Sequence, residues 1–436
     1  MRRIWKLILL TAALALLLPG CMLKTIDEMY ALPRRSEEYQ DLQTAIDGVM
    51  GGLEYCAPIQ GENQQTVQLA DLNGDGQLEA VLFAKGSGER PLKIFVFSQR
   101  NGTYEQIAAM ETTGTAFEQV EYAEIDEAPG VELVVGRQVG NEVLHSLSAY
   151  SFASGQADTI LTAGYTRFLT AELDQDSLRE LVVLRPGAEA GNGVAELYDF
   201  QNGAMERATE VPMSVPVENI KRIAAGGMYA ATNAVFVAST YGEDSIITDV
   251  FTVVNGRFVN VSFSNESGTS MKTIRNYYVY GDDIDSDGLI EIPALVYPDE
   301  ETPSRQDLLR WYNLTTTGDE VDKAFTYHNY LEHWYVTLES RWMDTLNVTR
   351  GQDVGQTAGY VFSCGSKGNV LFVIYAFTGD ERMTLATSEG RFVLSQTEEV
   401  VYAGCLGPES RTFGLDQETL TSYFNFIQED WKTGET

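Results

Sequence analysis

Histidine is scarce in this chain: His145, His328 and His333 are the only three in 436 residues. His328 and His333 are five apart, a spacing that puts them on neither one helical face nor a zincin motif. His145 stands alone in strand-like sequence, where a packed or surface role is expected. The G-x-S-x-G elbow, the P-loop and the dinucleotide fingerprint are all missing, which removes the commonest sequence signals of acyl transfer and nucleotide chemistry. Cysteine is equally sparse, with Cys21, Cys56, Cys364 and Cys405, too few to form a disulfide framework for so long a chain. Positive charge is also short. Lys and Arg total 30 against 63 Asp and Glu, for a formal charge of −33. That balance excludes the basic footprint a nucleic-acid backbone requires and suits a protein exposed to divalent cations.

What is present begins with an export signal over residues 1–20. Arg2, Arg3 and Lys6 precede an apolar run from Leu7 to Leu18 that is too short to span a bilayer. Leu18-Pro19-Gly20-Cys21 resembles the lipobox of bacterial lipoproteins, which implies cleavage before Cys21, lipidation of its thiol, and an extracytoplasmic protein anchored to the cell membrane. Residues 21–60 read as a tether and a packing helix. Ser36 is placed as N-cap, Tyr39, Leu42, Ile46 and Val49 form one apolar face, and Gly51-Gly52 stops the helix.

The feature that recurs is an acidic loop. Asp71, Asn73, Asp75 and Glu79 fall at positions one, three, five and nine of one loop, with Gln77 at position seven and Gly76 at the sharp turn. Asp283, Asp285, Asp287 and Glu291 repeat the frame, with Leu289 at position seven. Glu172, Asp174, Asp176 and Glu180 repeat it with Ser177 in place of glycine. Glu124, Asp126 and Glu132 keep only part of it, because Ala128 removes the central carboxylate. Alternating oxygen side chains around a glycine turn suit a hard cation that takes six to eight oxygens, and calcium is the expected ion. Its expected role is structural: the carboxylates of an empty loop repel one another.

The loops mark a repeat. They start at residues 71, 124, 172 and 283, and a ligand-free unit aligns with Ala225 at the loop start and Ala234–Ala238 as its second strand. Hairpin turns at Asn101-Gly102, Ser154-Gly155, Asn202-Gly203 and Asn255-Gly256 each lie 30 positions after their own loop start. A fifth turn sits at Thr317-Gly318. Four short strands at a period of about fifty residues predict the blades of a β-propeller. Residues 61–332 thus resemble the FG-GAP/VCBS repeats of integrin-type propellers, whose loops between the first two strands of a blade hold calcium. The expected fold is all-β: a propeller with about five recognisable four-stranded blades, an N-terminal helix, and a small C-terminal α+β domain over residues 333–436.

In that last region Cys364 and Cys405 are the expected disulfide, with two reduced buried thiols as the other reading. Asp416 is expected to cap a final helix carrying Leu420, Tyr423, Phe424, Ile427 and Trp431 on one face. Two function classes follow. One is a non-catalytic cell-surface lipoprotein that binds a protein or glycan through its propeller. The other is an exported, lipid-anchored hydrolase or lyase on the same scaffold. The missing histidine constellations favour the first.

Overall fold

The computed structural model describes residues 37–428 and 431, apart from 141–144, 189–190, 231, 278, 297–306, 355–356 and 366–367. The export signal, Cys21 and the Ser36 cap lie outside the described residues. Helix α1 (Glu37–Val49) buries Leu42 and Ile46 against Ala80, Leu82 and Phe97 of the first sheet. Tyr39, expected on that face, is exposed.

Six antiparallel sheets follow in chain order. The first contains β1 (Glu54–Tyr55), β2 (Val67–Ala70), β3 (Glu79–Lys85), β4 (Leu92–Arg100) and β5 (Thr103–Thr112). The short strand β1 extends the line of β2 along β3. The second is the meander β6 (Ala116–Ala123), β7 (Glu132–Gln138), β8 (His145–Ser151), β9 (Asp158–Tyr165). The third is β10 (Arg167–Ala171), β11 (Glu180–Pro186), β12 (Gly193–Gln201), β13 (Ala204–Pro212). The fourth is β14 (Ile220–Met228), β15 (Thr232–Tyr241), β16 (Ser245–Val254), β17 (Arg257–Asn260). The fifth begins with β18 (Ile292–Leu295), β19 (Leu308–Leu314), β20 (Glu320–Asn329) and β21 (Trp334–Leu338). Its would-be innermost strand is reduced to the single bridge between Asp282 and Glu291.

The hairpin turns fall where the sequence puts them, between the third and fourth strands of the repeat. Asn101, Asn202 and Asn255 take φ of 53°, 55° and 50°, each followed by a glycine at positive φ. This is the turn whose twist matches that of the flanking strands. Successive sheets pack face to face through apolar layers. Phe83 of the first meets Phe117 of the second, Val183 of the third packs with Val134 of the second, and Phe236 of the fourth packs with Tyr312 of the fifth. The second strands β3, β7 and β11 are buried on both faces along nearly their whole length, and this succession of packed antiparallel meanders makes a β-propeller architecture.

The C-terminal region is bound to the propeller more tightly than a separate domain. The ladder from β20 to β21 crosses the expected boundary at residue 333. The sixth sheet, β22 (Leu346–Val354), β23 (Thr357–Cys364), β24 (Asn369–Thr378), β25 (Arg391–Gln396) and β26 (Val400–Leu406), abandons the meander, with β26 inserted between β24 and β25. Asp416 caps the last helix as expected, accepting the Thr419 N–H at 2.8 Å. That helix (Gln417–Tyr423) is shorter than the apolar spacing suggests. Phe424–Phe426 instead form β27, the fifth strand of the fifth sheet, paired with β21. The open edge of β21 offers main-chain partners, and Phe424 gains ring contacts with Trp334 and Tyr402. Trp431 then packs against Trp311, His328 and Tyr335.

The expected disulfide is absent: Cys364 and Cys405 are free thiols. Cys364 lies on β23 and Cys405 on β26, with β24 between them. Two strand spacings amount to about 9–10 Å, beyond the ~7 Å Cα separation a disulfide spans. The residues also face opposite layers, Cys364 with Phe362 and Phe372, Cys405 beside Val373 and Ala403. Non-reducing peptide mapping of native protein should therefore recover Cys364 and Cys405 as free thiols. A Cys364–Cys405 cross-linked peptide would contradict this arrangement.

Candidate functional site

The acidic loops connect β2 to β3, β6 to β7 and β10 to β11, and the fifth-sheet loop leads into β18. Their local geometry follows one rule. The glutamate at position nine opens the next strand and is withdrawn from solvent: Glu79, Glu132, Glu180 and Glu291 are at most 1% exposed. Each reaches back across its loop to accept the N–H of position two. The distances are 3.0 Å from Leu72, 2.9 Å from Ile125, 2.6 Å from Leu173 and 3.1 Å from Ile284. Each loop is thus closed on a hydrogen bond to its own glutamate.

A second rule ties the sheets together. The carbonyl of position one accepts the N–H of position eight of the next loop. Asp71 receives Val131 at 3.0 Å, and Glu124 receives Arg179 at 2.8 Å. In the third loop the Glu172 carbonyl receives the Asn233 side-chain amide at 2.9 Å. Ile290 donates to Gly227 at 2.9 Å. Gly227, not Ala225, therefore occupies position one in the fourth unit. Ala225 lies inside β14, and a tight turn after Met228 replaces the loop. The contact is close enough to require glycine at two places: a Cβ on Gly74 would meet Pro129 at 2.4 Å, and one on Gly130 would meet Leu72 at 2.7 Å.

The expected cation ligands divide into three cases. In the third loop Glu172, Asp174 and Asp176 bring carboxylate oxygens within 4.8 Å of one another, and Asp283, Asp285 and Glu291 do so in the fifth. These donor sets fit a hard cation. In the first loop the oxygens turn to the loop's own amides. Asp71 accepts from Gly76 at 3.0 Å, Asn73 from Asp75 at 2.9 Å, and Asp75 from Gln77 at 2.8 Å. Asn73 also donates its amide to Glu79. In the second loop Asp126 is buried and accepts from Ala128. Leu289 holds its place with its main chain, donating to Asp287 at 3.0 Å. Lys323, on β20, escaped sequence reasoning: its ammonium pairs with Asp287 and lies 3.8 Å from Asp285. The partner comes from a strand far along the chain, so no local pattern announces it.

Burial raises the position-nine carboxyls despite the backbone hydrogen bonds that favour the charged form. Glu132 and Glu291 are pushed up to about 7 and Glu180 to about 8, with the neighbouring aspartates adding to the effect. Glu79 moves in the same direction.

A different site lies where the first strands converge. An open cavity of about 1050 Å³ is bounded by the segment before β2 and by β6, β10 and β14. Gln64, Gln119, Arg167, Phe168, Lys221 and Arg222 face it. Behind Gln119 and Phe168 stands a buried polar cluster that sequence reasoning missed. Glu118 accepts hydrogen bonds from Tyr165 and from the imidazole of His145, and Tyr165 packs edge-on against Phe168 at 5.1 Å. His145 is therefore not alone, although its partner is 27 residues away. His328 is sealed among Trp311, Tyr335 and Trp431, and burial lowers it to about 3. His333 is exposed in the left-handed region at φ 62°.

No protein-family model matches the chain, and neither does any curated protein sequence. Among solved structures it is similar to the exotype rhamnogalacturonan lyase YesX (12% identity, TM-score 0.30, covering 75% of this chain and 67% of that one). It is also similar to a Bacillus licheniformis rhamnogalacturonan lyase (8% identity, TM-score 0.31, covering 73% and 90%). A Lactobacillus plantarum protein gives 9% identity and a TM-score of 0.28, covering 71% and 84%. At these values nothing about activity carries over.

The raised carboxyls give a pH dependence of definite sign. Their folded-state values lie above the ordinary 4.5. The stability they favour is fully present below that pH and is lost as pH rises through about 7 for Glu132 and Glu291 and about 8 for Glu180. In chelator, Glu180→Gln should gain stability over the parent at alkaline pH, and the gain should vanish in acid. Glu180→Ala, which strands the Leu173 N–H, should lose about 1–3 kcal/mol. Denaturant titrations across pH measure both. A Gln variant that tracks the parent at every pH would show that Glu180 ionises freely.

Proposed function

We propose that the chain is an exported lipoprotein, anchored through Cys21, whose propeller is a non-catalytic binding module for a surface glycan or protein. The observation that carries this reading is the cavity at the convergence of the first strands. Three successive sheets and the segment before β2 build it, and the described residues of its lining include no histidine, cysteine or carboxylate. It offers hydrogen bonds and charge without groups suited to proton transfer at neutral pH. Incubating the full chain with a panel of cell-wall and host glycans, with analysis of what is recovered, tests the reading. Retained ligand of unchanged length is the expected result. Shortened or unsaturated products would instead favour the exported hydrolase or lyase. That second reading draws support from the Glu118–His145–Tyr165 cluster behind the cavity wall, and His145→Ala would then abolish product formation. Intact-mass analysis should find a diacylglyceryl-modified Cys21 at the mature N-terminus; an unmodified terminus would remove the anchor.

Calcium enters as a structural ion. Glu172, Asp174, Asp176 and Glu180 would hold one, and Asp283, Asp285 and Glu291 another. A bound divalent ion neutralises carboxylates that otherwise repel across each loop. At a hundredfold excess over its dissociation constant, one site contributes roughly 2.7 kcal/mol. Thermal melts should therefore shift upward with millimolar calcium, and Asp174→Ala should remove part of the shift. Lys323→Met should enlarge it, because the ammonium already supplies the fifth loop with a positive charge. Melting that ignores calcium in all three proteins would leave the loops as turns held by their own amides.

A further inference from the structure

The charge distribution around the cavity runs against that of the chain. The protein carries twice as many acidic as basic residues, 63 against 30. Yet the charged residues among the described lining are Arg167, Lys221 and Arg222, and the nearby Glu121 carboxylate is taken up by Gln119 and Thr170. These cations come from two different first strands, β10 and β14, so the ring itself brings them to one wall. All three are half-buried, where a charge is screened less than on an open surface. Arg167 donates to the Thr166 carbonyl at 2.9 Å, and the Arg222 guanidinium lies 5.8 Å from the centre of the Tyr280 ring. A cleft lined by one sign of charge, with low-dielectric walls, focuses its field into the opening.

The remaining lining narrows the ligand class. The amide nitrogens of Gln64 and Gln119 donate to the Gly61 carbonyl and to Glu121 and the Phe168 carbonyl, and their amide oxygens can accept from hydroxyl groups. Ile59, half exposed, gives an apolar rim. The volume of about 1050 Å³ sits at the top of the range of small-molecule pockets (about 300–1,000 Å³), so an oligomer fits better than one small anion. Planar guanidinium groups match carboxylate and phosphate oxygens two at a time.

We infer that this cavity is a site for an acidic oligosaccharide, a polyhydroxylated chain bearing carboxylate or phosphodiester groups, engaged by Arg167, Lys221 and Arg222. The inference rests on the binding-module reading and gives it a ligand class.

Isothermal titration of the full chain tests it with three probes of matched length: an oligogalacturonate, a glycerol-phosphate oligomer and a neutral galacto-oligosaccharide. At least one anionic probe should bind, and its affinity should fall as salt is raised, with no variant needed for that readout. Arg167→Glu and Arg222→Glu should each weaken it roughly tenfold or more. Arg100→Glu, an exposed charge on a hairpin outside the cavity, should change nothing, and the neutral probe should stay unbound. Binding of the oligogalacturonate alone identifies a uronate-type ligand, and binding of the phosphate oligomer alone a phosphodiester one. Neutral and anionic probes binding equally, or anionic binding indifferent to both reversals, would overturn the inference and leave the binding module standing. Absence of binding by every probe overturns the inference as well. Failure of the wider glycan and protein panel would separately remove the reading beneath it.

Discussion

The propeller depends on a carboxyl group buried at the end of each acidic loop. Position nine of each loop opens a strand packed inside the molecule, so its side chain must leave water, and an ionised carboxylate does so at a cost. Glu79, Glu132, Glu180 and Glu291 offset that cost by accepting the position-two N–H. The bond fixes the length of the loop and with it the register of the first two strands. Position eight is then aimed at the neighbouring loop, where Val131, Arg179 and Ile290 donate to the preceding unit. Closure within a unit and stapling between units are consequences of one nine-residue frame.

This bears on what the loops are for. The same carboxylates that look like cation ligands are first of all hydrogen-bond acceptors for the loop's backbone. A cation and the backbone amides are two ways of neutralising one set of oxygens. The first loop uses the amides of Asp75, Gly76 and Gln77, and the fifth draws on Lys323. The third uses the amides of Gln175, Asp176 and Leu178 and also brings Glu172, Asp174 and Asp176 within 4.8 Å of one another.

Much of the fold was legible because its signals are local. The Asn-Gly turns specify hairpins through the backbone freedom of two adjacent residues, and the acidic loops recur at a countable period. The strands at Val67–Ala70 and Glu79–Phe83 fall where the sequence puts them, although Gln68 is buried and Leu69 exposed in the first and the second is buried on both faces. What was not legible depends on partners far apart in the chain. The Cys364–Cys405 pairing failed because sequence proximity says nothing about an intervening strand. Phe424 was assigned to a helix because Leu420, Tyr423 and Phe424 are helically spaced, and the edge of β21 outweighed that periodicity. The loop start expected at Ala225 falls instead at Gly227, which no oxygen side chain marks because its role lies in its main chain. The cavity was invisible for the same reason: Arg167, Lys221 and Arg222 belong to different repeats and meet only when the sheets are arranged around an axis.

Hydrogen–deuterium exchange, followed residue by residue, tests the central claim most directly. The account predicts strong protection of the Leu72, Ile125, Leu173 and Ile284 amides, whose hydrogen bonds are buried or partly buried, in loops where amides such as Asp75, Gly76 and Gln77 make exposed hydrogen bonds to side chains, together with protection of Val131, Arg179 and Ile290. Glu132→Ala should release Ile125 while Leu72 stays protected. Position-two amides that exchange as fast as their exposed neighbours, or that are unmoved by loss of their glutamate, would contradict it.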